Sequence, residues 1–419
     1  MSGELWLWAL CALLPALWLL SFFRTDSDLT LLWAAWLGRR PEQVLTGMVV
    51  WVTGASSGIG EELALQLSKL GVSLVLSARR VQELERVKRR CLENGNVKEK
   101  DILVLPLDLA DRSSHDMATK AVLQEFGRVD ILVNNGGIAH CSFAVDTNLD
   151  VFKVLLEVNY LGTVSLTKCV LPHMMKRKQG KIVIINSLGG IIPIPLTSAY
   201  NASKHALRGF LDTLQTELFN YPGITVSTIC PGLVHSNIFQ NSFTSEITET
   251  LGSNAEALSK METSRCAQLI LIALANDLKE VWIAQQPHLF KTYVWQYVPI
   301  RDWIFSRKTW KKVIEGYNID KGPFLILFNP MDVLVNNGER AQISLALDTN
   351  LDVVFKGPTE LDCLGMMSLT KCILQHMIET KGVVTEGIVS MYCASKHALQ
   401  VWQSKLKSEE TNLSVYKAC

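Results

Sequence analysis

The apolar and polar positions of this chain fall into three regimes. Leu5 to Phe23 is a nineteen-residue run without a charge, set between Glu4 and Arg24. At about 1.5 Å per residue it nearly matches a hydrocarbon core of about 30 Å. From Met48 onward, short apolar runs of strand length alternate with longer stretches of helical spacing. Met48–Val52, Gly71–Ser77, Ile102–Leu107, Ile131–Val133, Lys181–Ile185 and Val281–Ala284 read as strands, and Glu61–Leu70 carries the helical pattern between the first two. Strand, turn, helix and strand in that order open a parallel sheet, which predicts an α/β domain over residues 46–320.

The third regime repeats the second. DILVNNG at Asp130 returns as DVLVNNG at Asp332, DTNLD at Asp146 returns at Asp348, SLTKC at Ser165 at Ser368, and ASKHAL at Ala202 at Ala394. Four ordered matches at nearly constant offset make residues 331–419 a degraded partial repeat of residues 130–220. The repeat has no glycine turn and lacks the segment that holds Ser187 in the parent. Gly357-Pro358 would break its first helix. Tyr392 and Lys396 survive in it as relics.

Two readings stand for the N-terminal run. A retained transmembrane helix over 1–23, followed by a linker over 24–45, suits its length and Trp6, Trp8 and Trp18, with Trp33 and Trp36 beyond, since an indole is apolar with one polar N–H. A cleaved signal peptide calls for a shorter apolar stretch and small residues before the cut, whereas Trp18, Phe22 and Phe23 crowd this one. Arg24, Arg39 and Arg40 on the far flank, diluted by Asp26 and Asp28, favour a main domain, residues 46–320, facing the cytosol. The sequon Asn201-Ala202-Ser203 lies where a glycan would obstruct the chemistry described next, which speaks against a lumenal domain.

Composition narrows the picture. Against 41 Lys+Arg stand 40 Asp+Glu, a net charge of +1, which excludes a nucleic-acid partner. With 48% apolar and 19% charged residues the chain is not disordered. Its ten Cys include no C-x-x-C pair and no Cys/His cluster at ligand spacing, so neither a disulfide scaffold nor a metal site is expected.

The candidate chemistry sits at strand ends. TGASSGIG follows the first strand, and its Gly54, Gly58 and Gly60, with Ser56, Ser57 and Ile59 between them, form a turn at a helix start. Such a turn lets backbone N–H groups approach a pyrophosphate. The spacing is Gly-x3-Gly-x-Gly rather than the general Gly-x-Gly-x-x-Gly. The second strand ends in Arg79-Arg80 where an NAD-binding chain places an acid, and two guanidiniums fit a 2′-phosphate, so NADP(H) is the expected cofactor. The competing reading makes these arginines the start of a solvated basic stretch running to Arg86 and Arg90. Asp108-Leu109 end the third strand, suitably placed for an adenine amino group. Asn135, in Asn134-Asn135-Gly136-Gly137, ends the fourth strand and Ser187 follows the fifth. Thirteen residues on, Tyr200 and Lys204 share one helix face at i and i+4. A lysine cation beside a phenol, joined by oxidised nicotinamide, stabilises the phenolate, which would let Tyr200 trade a proton with a substrate oxygen.

With TGASSGIG, NNGG, Ser187 and YNASK in this order and spacing, the sequence resembles the short-chain dehydrogenase/reductase family, over about three quarters of the chain. The resemblance implies a Rossmann-type doubly wound parallel sheet of about seven strands. It implies that Ser187 orients the substrate carbonyl, Tyr200 is the acid/base, Lys204 also holds the nicotinamide ribose, and Asn159 in EVNYLG organises a proton-relay water. PGLVHS matches the segment whose Pro231, Gly232 and Val234 border the nicotinamide, Val234 contacting the carboxamide, with Ser236 where threonine is more usual. The N-terminal run and the stretch from Met48 to about Lys312 are similar to a membrane-bound member, which implies the endoplasmic reticulum membrane and a small lipophilic substrate, a steroid, retinoid or other apolar carbonyl. The resemblance also implies a homodimer paired through the helices around Leu149–Lys176 and from Tyr200.

Two questions stay open on the residues alone. The aromatic stretch Trp282, Phe290, Tyr293, Trp295, Tyr297, Trp303 and Phe305 is either a lid on the site or a second membrane-contacting surface. The alternative function is a non-catalytic NADP(H)-binding scaffold, or pseudoenzyme, whose C-terminal repeat disturbs assembly.

Overall fold

A computed structural model of the chain describes residues 24–252 and 260–299. The run Leu5–Phe23, the aromatic residues Trp303 and Phe305, and the C-terminal repeat lie outside the described residues.

Seven strands form one sheet in the order β3-β2-β1-β4-β5-β6-β7. They are β1 (Val49–Thr53), β2 (Ser73–Ser77), β3 (Ile102–Val104), β4 (Ile131–Asn134), β5 (Gly180–Ile185), β6 (Ile224–Pro231) and β7 (Glu280–Ile283), and every pairing is parallel. The strands are continuous apolar runs because both faces are covered. On β1, Val50 and Val52 face one layer while Trp51 faces the other. The helices are α1 (Leu29–Leu37), α2 (Pro41–Val44), α3 (Gly58–Lys69), α4 (Val81–Asn94), α5 (His115–Phe126), α6 (Leu149–Arg177), α7 (Ser198–Glu217), α8 (Thr263–Ala275) and α9 (His288–Tyr297). Leu31 of α1, Leu63 and Leu67 of α3, Leu84 and Val87 of α4 and Leu269 and Ile270 of α8 pack on one face of the sheet. Val122 of α5, Leu166 and Val170 of α6 and Leu207 and Leu211 of α7 pack on the other. Trp51 is fully buried and satisfies its indole by donating to Ser77 Oγ at 2.8 Å.

The order reverses at β1, whose neighbours are β2 and β4. That switch point opens a crevice at the carboxyl ends of β1 and β4, where the glycine turn and Asn134–Gly137 emerge.

The structure moves several expected boundaries. α3 begins at Gly58, so the turn's last two glycines belong to the helix. The third strand stops at Val104 rather than Leu107, and β6, which periodicity did not single out, is the longest strand, with eight residues. Residues 24–45, read as a linker, fold onto the domain. Asp28 caps α1 by accepting from Leu31 N at 2.9 Å, its other carboxylate oxygen accepts from Trp282 N of β7, and Leu31 and Leu45 are wholly buried. Among the described residues α6 alone is long and apolar enough to cross a membrane. Leu155, Leu166, Val170 and Leu171 are buried within the protein, which makes it a core helix.

Candidate active site

The glycine turn is shaped by its backbone. Gly54 (φ +64°) and Gly58 (φ +57°) occupy the left-handed region, and a Cβ on Gly54 would stand 2.8 Å from Gly136 Cα. The loop after β4 is laced to it. Thr53 Oγ1 accepts from the N–H groups of Asn135 and Gly136, both at 3.0 Å, and Asn135 Nδ2 donates to Thr53 O at 3.0 Å and Gly54 O at 3.3 Å. Asn135 is therefore a brace for the turn, and Thr53, its partner, is a residue that sequence reasoning passed over although it heads the motif. At the start of α3 the N-cap Ser57 makes no side-chain cap bond, so the first N–H groups of the helix point toward the crevice without that partner. A helix start of this kind, on a glycine turn with no room for a Cβ, fits a dinucleotide pyrophosphate.

The two arginines separate. Arg80 reaches back to Ser56 Oγ at 3.2 Å and Ser57 Oγ at 3.4 Å, placing a cation beside the turn. Arg79 is exposed and makes no hydrogen bond or ion pair among the described residues. The basic stretch beyond is a different structure: Arg86 holds both oxygens of Glu61 at 2.7 Å and Glu83 at 2.8 Å, and Arg90 also pairs with Glu61. These pairs tie α4 to α3 and hold the Glu61 carboxyl below its usual range despite partial burial. On the adenine side, Asp108 Oδ1 accepts from Ala110 N at 3.0 Å, and Leu109 packs so closely that a Cβ on Gly136 would meet its Cδ1 at 2.6 Å.

Ser187, Tyr200 and Lys204 come together on the wall of a cavity of about 200 Å³, with Asn135, Ile59, Pro231, Gly232, Val234 and Ser236. Ser187 Oγ accepts from Gly189 N at 3.1 Å, which leaves its proton for the Tyr200 oxygen. Lys204 Nζ, on a residue only 4% exposed, donates to Ile185 O at 3.0 Å and lies 5.8 Å from the centre of the Tyr200 ring. Burial lowers the Lys204 pKa to about 8. It also raises that of Tyr200, which outweighs the lowering by the Ser187 hydrogen bond. The ammonium is itself poorly solvated and spends its bond on a carbonyl, so the resting phenol stays protonated. Ser236 does not bond the others but packs against the turn, 3.1 Å from where a Gly58 Cβ would be.

Asn159 lies behind this wall. Residues Leu156–Gly162 of α6 form a π segment, a local widening that concentrates at functional sites. Fully buried, Asn159 accepts from Ile138 N at 2.9 Å and donates to Ile138 O at 2.9 Å and to Ser203 Oγ at 3.0 Å. Ser203 in turn donates to Tyr200 O at 2.8 Å. The asparagine thereby clamps α6, the strand-end loop and α7 into one unit. Gly162 closes the segment because its Cβ would strike Leu109 O at 2.3 Å.

Of the substrate side of the cavity, only Trp295 was singled out beforehand, within the aromatic stretch. Leu188, Ile192, Ile194 and Phe239 make it apolar, and α9 supplies His288, Lys291 and Trp295. His140 also lines it, 1% exposed, with a pKa lowered by burial to about 4. Its Nε2 faces Thr147 Oγ1 at 3.3 Å, while Nδ1 has no partner among the described residues. His205, by contrast, is an exposed helix residue bonded to Asn201 O. No cluster of metal-ligating side chains occurs among the described residues.

Comparison with known proteins places this geometry. The family described as short chain dehydrogenase matches residues 48–247. Over 314 residues the chain is 69% identical to dehydrogenase/reductase SDR family member 7 of Homo sapiens, covering 75% of this chain and 93% of that protein. It is 64% identical over 328 residues to the protein of that name from Mus musculus, covering 78% and 97%. Among solved structures, an alcohol dehydrogenase from Thermococcus sibiricus complexed with 5-hydroxy-NADP superposes with a TM-score of 0.50 at 24% identity, over 57% of this chain and 97% of that one. A short chain dehydrogenase/reductase from Burkholderia phymatum in complex with NAD gives 0.52 at 24%, over 59% and 92%. At that identity the likeness speaks to fold alone.

Proposed function

Because this chain belongs to the short-chain dehydrogenase/reductase family of oxidoreductases, we propose that it is an NADP(H)-dependent carbonyl reductase or alcohol dehydrogenase acting on a lipophilic substrate. The observation that carries the reading is the convergence of Ser187, Tyr200 and Lys204 on an apolar cavity that opens beside an uncapped, glycine-lined helix start. The turn Gly54–Gly60 would hold the pyrophosphate, Arg80 with Arg79 the 2′-phosphate, Asp108 and Leu109 the adenine, and Pro231, Gly232, Val234 and Ser236 the nicotinamide end. When bound, the nicotinamide supplies or takes the hydride.

The chain's own residues manage the proton. In the reduction direction Tyr200, kept protonated by burial, gives its proton to the carbonyl oxygen that Ser187 also approaches. Lys204, buried and bonded to the Ile185 carbonyl, carries a positive charge whose attraction grows as Tyr200 turns to phenolate. Asn159 positions the Ser203–Tyr200 segment. The apolar lining of Leu188, Ile192, Ile194 and Phe239 supports a steroid, retinoid or similar apolar carbonyl.

For location we propose the endoplasmic reticulum membrane, with Leu5–Phe23 as the anchor and the catalytic domain on the cytosolic side. Protease added to intact microsomes should then digest the domain, and protection until detergent is added would reverse the orientation. For assembly we propose a homodimer through α6 and α7, to be read by light scattering on the full chain and on one ending at Lys321. The test of the reaction is Tyr200→Phe. It should abolish turnover of a panel of apolar carbonyls, by about 10²- to 10⁴-fold, while NADPH binding is kept. Retention of more than a tenth of the rate would remove Tyr200 as the acid.

A further inference from the structure

Ten large apolar side chains stand exposed among the described residues, and six of them lie on two helices: Leu29, Trp33, Trp36 and Leu37 on α1, and Phe290 and Tyr297 on α9. The other four are scattered over separate parts of the fold, so the six form a patch rather than background.

The sequence of α1, LTLLWAAWL, contains no charge and, apart from Thr30 in its first turn, is apolar throughout, a pattern that belongs to a helix covered all round. The protein covers one side only, through Leu31 and Ala34. Leu29, Trp33 and Trp36 recur at i, i+4 and i+7 along the other, with Trp33 65% and Trp36 78% exposed and their rings edge-on at 6.3 Å. The patch continues onto α9. Leu29 N donates to Tyr293 Oη at 3.1 Å, and Tyr293 stacks with Tyr297, 69% exposed, at 6.2 Å. The same α9 gives His288, Lys291 and Trp295 to the cavity wall, so the outer apolar surface and the substrate cavity share one helix.

We infer that the α1–α9 face docks on a lipid bilayer and turns the α9 wall of the cavity toward it. Three observations select lipid over another protein surface. The charge-free run Leu5–Phe23 ends five residues before α1, and five residues span at most about 18 Å, so an anchored chain has no room to hold α1 far from the membrane. The exposed side chains are led by tryptophan and tyrosine, whose apolar ring and polar edge suit the headgroup boundary. Arg40 follows the stripe directly and is exposed, a cation that suits phosphate headgroups, while Arg39 beside it pairs with Asp277 at 2.6 Å. A lipophilic substrate dissolved in the bilayer would then meet the cavity without crossing water. The inference rests on the proposed anchor, and the experiment separates the two.

The full chain is reconstituted in phosphatidylcholine vesicles carrying a diazirine on an acyl chain, irradiated, and mapped by peptide mass spectrometry. Label is expected on peptides from residues 5–23 and also on those holding α1 and α9. The exposed pair Trp33→Ser with Trp36→Ser should cut the α9 label at least fivefold and leave the 5–23 label unchanged. Leu29→Ser with Leu37→Ser, also on exposed positions, should act in the same direction. Label on 5–23 without label on α1 and α9, or α9 label indifferent to both variants, overturns the docking face while sparing the anchor. Label on α1 and α9 without label on 5–23 overturns the anchor and sustains the face, and no label anywhere overturns both.

Discussion

Replacing Lys204 by Met should make the cofactor-free protein gain stability at neutral pH relative to its value at high pH, while turnover is lost. Lys204 is 4% exposed, and burial lowers its pKa from 10.5 to about 8. Each pKa unit is 1.36 kcal/mol, so holding the ammonium in the fold costs about 3 kcal/mol at pH 7. Between pH 8 and 10.5 the unfolded chain still binds this proton and the folded chain does not, so stability rises with pH across that window and the cost is gone above it. Met fills a similar volume and removes the charge. It also removes the bond to Ile185 O at 3.0 Å, which returns about 1 kcal/mol or more of the gain. The pH dependence is cleaner than the net value. Urea unfolding of both proteins in the same detergent, at half-unit steps from pH 7 to 10, should show the wild type gaining about 2.5 kcal/mol on the variant. Lysines and tyrosines remote from Lys204 titrate alike in both and cancel, and Tyr200, with its pKa raised by burial, stays protonated over most of the range. A difference that stays flat within about 0.5 kcal/mol would show that the lysine is not held at a desolvation cost, and would remove the physical basis for its electrostatic role.

Arg80→Ala should weaken NADPH binding by about 10- to 100-fold and NADH binding hardly at all, since a charge-assisted bond contributes about 1.5 to 3 kcal/mol. Arg79→Ala should do less, because only Arg80 is already turned to Ser56 and Ser57. Fluorescence titration with both nucleotides decides, and equal losses would make the pair structural. His140, held neutral with a pKa of about 4 against 6.5, should cost the wild type about 3 kcal/mol more than His140→Asn as pH falls from 6.5 to 4, because only the unfolded chain takes up the proton there. Parallel acid-unfolding curves would refute the burial argument. Asn159→Ala leaves the Ile138 N–H and C=O and Ser203 Oγ without their partner, so thermal or urea unfolding should register a loss of about 2 to 4 kcal/mol. A loss below about 0.5 kcal/mol would mean that water replaces the amide.

What the chain declares by itself is local. Apolar runs of strand length, the glycine turn, and tyrosine with lysine four apart depend on neighbours a few residues away, and six strands, the strand ends at Asn135 and Ser187 and the helix face of Tyr200 could be placed from them. Motif order then set the family, and with it Asn159. The structure decided whatever depends on residues far apart in sequence. Only the contact with β7 shows that residues 24–45 are part of the domain, since Asp28 and Trp282 are 254 positions apart. Two neighbouring arginines look equivalent until the turn at Ser56 and Ser57 selects Arg80. The cavity wall draws on His140, Leu188, Phe239 and Trp295, four segments without a common motif. The protonation of Tyr200 and Lys204 follows the same division: spacing puts the lysine beside the phenol, but burial, which no local pattern measures, raises one pKa and lowers the other. Desolvation is set by everything packed around a group, and that is known only once the chain has closed on itself.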